Sequence, residues 1–98
     1  LFNRNDASPT YRAFHQAFVG RFGQEPGFAA VLAYDATRAL LAAYAKRRSG
    51  QALKDALLAA GPFDGVQQRW TFDRYGDARR EVFIAEVRDG RFERVEAP

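Results

Sequence analysis

The residues of this chain that could do chemistry are few, and their spacing matches no catalytic pattern. His15 is the only histidine, and the sequence has no cysteine. One histidine cannot build a His-rich metal site, and without cysteine there is no thiol catalysis, Cys-based metal site or disulfide. His15 has no serine nucleophile in a recognisable motif, and it falls beside an aromatic stripe on a predicted helix, so we expect a surface or boundary role.

The carboxylates and glycines also lack catalytic spacing. Asp35, Asp55 and Asp64 are not paired in a way that suits acid–base catalysis. No glycine-rich phosphate loop or nucleophile elbow is present, because Gly61 and Gly65 flank a linker and do not open a helix. We therefore predict that the chain is not an enzyme and that it has no catalytic residue, metal ligand or cofactor.

The segment 73–77 superficially resembles a calcium loop. It lacks the alternating acidic ligands and the closing glutamate of an EF-hand. The pattern predicts a turn instead, in which Asp73 accepts hydrogen bonds from the turn backbone and Gly76 adopts a positive φ.

The charge of the chain is a weak argument for nucleic acid. The formal net charge is +3, and all but two of the 15 cationic residues are arginine. Apart from Lys46-Arg47-Arg48 they are spread along the chain, which favours a solvated surface and helix-terminal cations over a nucleic-acid-binding face.

No apolar run reaches the roughly 18 residues of a membrane span. The start of the chain lacks the charged-then-apolar order of a signal peptide. Because the sequence begins with Leu1 instead of Met, we expect processing or truncation upstream.

Three helices are predicted in the first two thirds of the chain. The first starts at Ser8-Pro9, with serine as the cap, and ends at Gly23. The second starts at Pro26-Gly27, is rich in alanine and leucine, and has Lys46-Arg47-Arg48 in its last turn. The third covers about 51–60 and ends at Gly61-Pro62. The aromatic stripe of the first helix consists of Tyr11, Phe14, Phe18 and Phe22, which we interpret as a core face.

The pattern then changes from a period of 3.6 to a period of 2. A strand over 66–72 would place Val66, Gln68, Trp70 and Phe72 on one face. A second strand over 80–88 is apolar on both faces, which predicts burial on both sides. Asp89-Gly90 is a hairpin signal, and 91–95 is the third strand. The predicted order is thus three helices followed by three short strands including a hairpin. We expect that such strands do not satisfy their own faces and that the chain packs against something outside it.

Seven short motifs follow one another in an order that is typical of one protein family. They are Arg21-Phe22-Gly23, Pro26, Tyr34-Asp35-Ala36, Phe63-Asp64-Gly65-Val66, Phe72-Asp73, Gly76-Asp77 and Asp89-Gly90. In this order they resemble the C-terminal part of type I periplasmic solute-binding proteins of ABC importers, the leucine/isoleucine/valine-binding protein family. One departure is Gln67-Gln68, where the family often has Thr-Gly, so we expect the local loop to be built differently here.

The resemblance implies the α/β fold class, as a two-lobed, type I periplasmic-binding-protein-like fold of which this chain is a C-terminal fragment. Residues 1–78 or so would supply helices and a strand of the N-terminal lobe. Residues from about 79 to 98 would supply a crossing segment and the terminal hairpin.

The implied function is capture of a small polar ligand, an amino acid or aromatic acid, by hinge closure in the periplasm. The implied partners are the ligand, the remainder of the solute-binding protein and an ABC permease in the membrane, with no nucleic acid. By position, Phe28 and Ala29 would approach the ligand cleft. Tyr34 and Asp35 are further ligand-binding candidates, with packing for Tyr34 and a local or arginine bond for Asp35 as the alternative roles.

Two other functions remain open at this stage. The same fold could act as a ligand-sensing regulatory domain, or the chain could be a standalone α+β interaction domain. A secretory signal followed by a long βαβ pattern upstream would indicate transport, and a cytoplasmic start or a fused output domain would indicate a sensor.

Overall fold

The structure, a computed structural model, describes residues 2–80 and 84–95. In these residues three helices precede five short strands. The elements are α1 Pro9–Phe22, α2 Phe28–Lys46, α3 Leu53–Ala60, β1 Phe63–Asp64, β2 Arg69–Phe72, β3 Ala78–Arg80, β4 Ile84–Arg88 and β5 Arg91–Val95. The predicted order of helices followed by short strands is confirmed, although one predicted strand is shorter than expected and another is divided between two sheets.

Helix α1 begins and ends as its sequence predicts. The Ser8 hydroxyl accepts a hydrogen bond from the backbone N–H of Tyr11 at 3.3 Å, and Pro9 occupies the first helical position. At the other end Gly23 is left-handed, with φ 68°, and its N–H donates to the Val19 carbonyl. The capping serine and the glycine satisfy backbone groups that the helix itself leaves unpaired.

The connection between α2 and α3 is longer than predicted. Helix α2 ends at Lys46, and α3 starts at Leu53. Between them the Gln51 side-chain oxygen accepts from the Arg48 N–H at 3.0 Å, and the Gln51 N–H donates to the Arg48 carbonyl at 3.0 Å. This local turn occupies backbone groups that a continuing helix would need, so both helices stop short of it.

The first predicted strand is shorter than expected because its beginning forms a turn. The Gly65 N–H donates to the Gln68 carbonyl at 3.0 Å, so residues 65–68 connect β1 to β2. The two strands pair antiparallel, Phe63 with Trp70 and Asp64 with Arg69, and β3 joins the other edge of β2. Val66 is buried, but it lies in the turn and not on a strand face.

The second predicted strand is divided between two sheets. Its start belongs to β3, and its end is β4, which pairs with β5 in a separate two-stranded sheet. Burial of this strand on both faces is wrong for its described part, since Ile84 is 72% exposed and Val87 is 64% exposed. The reason is that no described layer covers the β4–β5 hairpin. Val82 and Phe83, which carried part of the prediction, lie outside the described residues.

The predicted turns have the expected backbone. Asp89 and Gly90 have φ values of 51° and 76°, which suits a tight hairpin between β4 and β5. Asp73 accepts from the N–H groups of Tyr75 and Asp77 at 2.9 and 3.0 Å, and Gly76 has φ 87°. Both turn predictions are confirmed.

Two small cores hold the helices on the three-stranded sheet. One consists of Tyr11, Val31 and Val66, with Phe2 and Phe14 packed against them. The other consists of Ala39, Phe63 and Trp70, with Leu57, Ala60 and Phe72 packed against them. Helix α2 contributes Val31 to the first core and Ala39 to the second, so two separate contacts fix its position relative to the sheet.

Candidate functional site

The start of α2 presents an open apolar surface. Gly27 precedes the helix in an extended conformation, with φ −100° and ψ −174°, and no side chain caps this end. Phe28 is 64% exposed, and Ala29 is exposed beside it. Pro26, two residues before Phe28, is buried and holds the entry to the helix. The site candidates Phe28 and Ala29 are therefore accessible to a molecule that approaches the helix end.

Tyr34 lies one turn and a half further along and faces α1. Its ring packs against that of Phe14 with a centroid distance of 4.9 Å. The Arg38 guanidinium lies over the same ring at 5.7 Å, an arrangement that suits a cation–π contact. Tyr34 is still partly exposed, so it combines a packing role with an accessible edge.

The Asp35 side chain does not face α1 and points into the protein instead. It is 4% exposed, and its Oδ1 accepts a hydrogen bond from the Val66 backbone N–H at 3.1 Å. Arg80 lies nearby, with Nη1 3.9 Å from Asp35 Oδ2. Of the two alternative roles expected for Asp35, the arginine is found, in Arg80, whereas the backbone partner Val66 is 31 residues away and not local.

Burial governs the charge state of Asp35. Loss of hydration raises the pKa of the Asp35 carboxyl above its ordinary value, because the charged form is the better hydrated one. The hydrogen bond from Val66 and the positive charges of Arg80 and Arg38 lower that pKa in the opposite direction. The net direction is upward, so the fold carries a buried carboxylate that its partners only partly compensate.

Gly65 is required by the position of this carboxylate. A Cβ atom at residue 65 would lie 2.6 Å from Asp35 Oδ2 and 2.6 Å from the Gln68 carbonyl oxygen. Neither distance is compatible with ordinary van der Waals contact. The absence of a side chain at Gly65 therefore lets the 65–68 turn approach α2 closely enough for the Asp35–Val66 hydrogen bond.

Arg80 connects the carboxylate to the sheet. Its guanidinium lies 4.6 Å from the centroid of the Trp70 ring. Trp70 in turn contacts Phe63 and Phe72, at centroid distances of 5.0 and 5.1 Å. We refer to Asp35, Gly65, Val66, Trp70 and Arg80 as the Asp35 cluster. It joins α2, the 65–68 turn, β2 and β3 into one unit. Arg80 was not singled out from the sequence, because nothing local distinguishes it from the other arginines.

An apolar groove runs between α1 and α2, with a volume of about 450 Å³. Its polar lining consists of Thr10, Arg21 and Arg38, and the Tyr34 ring forms part of one wall. The apolar lining consists of Ala13, Phe14, Ala17, Phe18, Phe22 and Val66. Of the aromatic stripe predicted as a core face, Tyr11 is buried in a core, whereas Phe14, Phe18 and Phe22 line the groove and Phe22 is largely exposed.

The departure at Gln67 has a structural counterpart. The Asn3 N–H donates to Gln67 Oε1 at 3.1 Å, and Gln67 Nε2 donates to the Asn3 carbonyl at 2.6 Å. These two hydrogen bonds connect the start of the chain to the 65–68 turn. Asn5 reaches the hairpin as well, through a bond from its Nδ2 to the Phe92 carbonyl at 3.1 Å.

His15 takes the boundary position expected of it. Its Nε2 pairs with the Glu25 carboxylate, and its ring lies beside that of Tyr11. Within residues 2–80 and 84–95, no group of three or more His, Cys, Asp or Glu side chains could hold a metal ion. None of the three described helices is both long enough and apolar enough to cross a membrane.

Comparison with solved structures finds close similarity to one class of protein. A substrate-binding protein of an ABC transporter from Desulfitobacterium hafniense superposes with a TM-score of 0.82 at 32% identity, over 96% of this chain and 29% of that one. Its complex with Leu matches with the same TM-score at 31% identity, over 96% and 29% of the two chains. A protein from Rhodospirillum rubrum, described as a branched-chain amino acid ABC transporter, matches with a TM-score of 0.79 at 26% identity, over 96% and 28%.

No family model matches the chain, and no curated protein does. The chain spans 29% of the length of the first solved structure that it matches. The predicted resemblance is confirmed at this level: over nearly its whole length, the chain has the fold of a segment of ABC transporter substrate-binding proteins.

Proposed function

We propose that this chain, which has the fold of a segment of ABC transporter substrate-binding proteins, helps to capture an amino acid or a related carboxylate for an ABC importer in the periplasm. The observation that carries the proposal is the superposition over 96% of the chain at 32% identity and a TM-score of 0.82. One of the matched structures is a complex with Leu. The role is binding without catalysis, and the partners are the rest of the binding protein and a membrane permease.

The proposed division of the chain falls near residue 79. Residues 1–78 contribute helices and a strand to the N-terminal lobe, and residues 79–98 contribute the crossing segment and the terminal hairpin. Support comes from the sheets, because β1–β3 and β4–β5 are separate and the change between them follows Arg80. A segment that leaves one sheet and enters another is what a crossing between lobes requires.

The proposed ligand contacts lie at the start of α2. Phe28 offers an exposed apolar ring to an aliphatic or aromatic ligand side chain, and Ala29 leaves room for it. The N–H groups of the first helical turn carry no side-chain cap, so they are available to a ligand carboxylate, and the helix dipole favours negative charge there. Tyr34 and Asp35 follow on the same helix. Tyr34 contributes an accessible edge, and Asp35 acts indirectly by holding the helix in place.

The proposed mechanism is hinge closure. A ligand that contacts both lobes stabilises the closed state by contacts that the open state lacks, and this difference in affinity drives closure. Since this chain spans 29% of a matched protein, it provides one wall of the cleft only. The ligand-bound, closed form then docks on the permease.

Calorimetric titration of the whole binding protein that contains this segment tests the proposal. We expect saturable binding of leucine or a related amino acid. Replacement of Phe28 by alanine should weaken the binding about 5- to 150-fold, since loss of an aromatic contact at a binding site costs about 1–3 kcal/mol. Tyr75→Ala, at an exposed turn residue far along the chain, is the matched control and should leave the affinity unchanged. Absence of binding to any amino acid or aromatic acid would contradict the proposed function, while an unchanged affinity in Phe28→Ala would contradict only the role of Phe28.

A further inference from the structure

The side of α2 that faces away from both cores is apolar along the whole helix. The buried residues Val31, Asp35, Ala39 and Ala43 define the inner side. Opposite them lies what we call the outer face of α2, which is exposed. Its members are Ala29, Ala33, Ala36, Thr37, Leu40, Leu41 and Tyr44. Leu41 is 65% exposed and Tyr44 is 66% exposed.

The outer face carries no charge. The only charged residues of α2 are Asp35, Arg38 and Lys46, and none of them belongs to it. Of its two hydroxyls, that of Thr37 is satisfied internally, because Thr37 Oγ1 donates to the Ala33 carbonyl at 2.8 Å, and that of Tyr44 belongs to an exposed side chain. A helix on a protein surface normally has a polar outer side, and a helix that is apolar all round is normally buried. An uncharged, exposed face of this length indicates a surface that another element covers.

We infer that the outer face of α2 is an interface with another part of the same polypeptide, contributed by the portion of the substrate-binding protein outside these 98 residues. This inference rests on the proposed function. The matched structures support it: the superposition includes 96% of this chain, while more than two thirds of the matched protein lies outside the superposed segment. The three alanines of the face let a partner backbone approach closely, and Leu40, Leu41 and Tyr44 supply the side chains that interdigitate with it.

A second copy of this chain is the competing occupant, and charge argues against it. Arg47 lies directly beside the face, with its guanidinium 5.5 Å from the centroid of the Tyr44 ring, and Arg48 follows. Two copies would bring these cations together, and each copy has a formal net charge of +3. Like charges across an interface oppose association.

Cysteine labelling distinguishes these arrangements, because the chain has no native cysteine. Leu41→Cys is prepared in the 98-residue chain and in the whole binding protein, and its reaction rate with a maleimide is read at that peptide by mass spectrometry. Gln16→Cys, at an exposed polar position of α1, is the matched control. We expect the two thiols to react at similar rates in the short chain. In the whole protein we expect the thiol at position 41 to react at least tenfold more slowly than the control.

Two results would overturn the inference. Equal rates in the whole protein would mean that the outer face stays free there. Slow labelling at position 41 in the short chain, increasing in rate as the chain is diluted, would mean that a second copy covers it. Titration of the same whole-protein sample with leucine keeps the two proposals separate, because binding would persist if only the interface were wrong. An intact mass of the source protein near 11.0 kDa, the mass of these 98 residues, would instead contradict the proposed function, and the inference with it, because no further chain would be present.

Discussion

The carboxylate of Asp35 accepts a hydrogen bond from the backbone N–H of Val66, 31 residues later in the chain, at 3.1 Å. This bond joins the middle of α2 to the turn between β1 and β2, and it exists only because Gly65 leaves space beside the carboxylate. It sets the position of the helix whose exposed start carries Phe28. The stability of this junction is therefore a condition for the proposed ligand contact.

The charge of Asp35 should make stability depend on pH. Because burial raises the pKa of Asp35 in the folded chain, the folded state binds this proton more tightly than the unfolded state. Its contribution to stability is thus fully present below the ordinary pKa of 3.8 and is lost as the pH rises through the raised value. Asp35→Asn keeps an oxygen for Val66 and removes the titration. In urea unfolding, the free energy of unfolding of wild type minus that of Asp35→Asn should fall as the pH rises above the ordinary pKa of 3.8.

The comparison with Asp35→Leu separates the hydrogen bond from the charge. Leucine removes the acceptor and leaves the Val66 N–H without its partner, which should cost about 1–3 kcal/mol relative to Asp35→Asn at every pH, since neither side chain titrates. A difference between wild type and Asp35→Asn that is constant with pH would show that Asp35 does not titrate abnormally.

Gly65→Ala should destabilise the chain. The added methyl would lie 2.6 Å from both Asp35 Oδ2 and the Gln68 carbonyl, so the turn or the helix must move. We expect a loss of about 1–3 kcal/mol in the free energy of unfolding. Gly20→Ala is the matched control. It lies inside α1, where an added Cβ meets nothing within 4 Å, and it should raise stability by about 0.5–1 kcal/mol. Equal effects of the two substitutions would contradict the close approach at Gly65.

Arg80 should control the emission of the only tryptophan. Its guanidinium lies 4.6 Å from the Trp70 ring centroid and 3.9 Å from Asp35 Oδ2. Arg80→Met removes the cation from both, so we expect a shift of the fluorescence maximum and a loss of about 1–2 kcal/mol. Arg80→Lys keeps the charge without the planar group and should be intermediate. Arg79→Met, on an exposed neighbouring side chain, should leave the emission unchanged. The same spectral shift in Arg79→Met would show that the effect is not specific to stacking on Trp70.

The 98-residue chain on its own should bind no amino acid with useful affinity, since it supplies only one wall of the proposed cleft. It should also be marginally stable, because the β4–β5 hairpin and the outer face of α2 are uncovered, and self-association should occur only through the exposed edges of the hairpin. Calorimetry and sedimentation velocity measure these properties. Micromolar binding of leucine, or a monodisperse monomer with a high melting temperature, would contradict the respective expectation.

Sequence reasoning predicted the local features well and the distant ones poorly. The cap at Ser8, the stop at Gly23 and the Asp89-Gly90 hairpin all depend on residues within a few positions of one another, and each is confirmed. The strand over 66–72 was too long because the Gly65–Gln68 turn is specified by the approach of α2, which no local pattern reveals. Burial of the second strand failed for β4 because alternation of side chains indicates what a strand can bury and not whether a partner is present.

The sequence by itself determined the kinds and order of elements, the absence of catalytic and metal chemistry among its motifs, and the resemblance to a binding-protein segment. Only the tertiary structure decided that Asp35 bonds Val66, that Arg80 is the arginine beside it, and that Phe28 and the outer face of α2 are exposed. The physical reason is the sequence separation of the interacting residues. Caps, turns and periodic side-chain patterns depend on residues close together in the sequence, whereas a buried carboxylate acquires its partners from residues that only the folded chain brings within hydrogen-bonding distance.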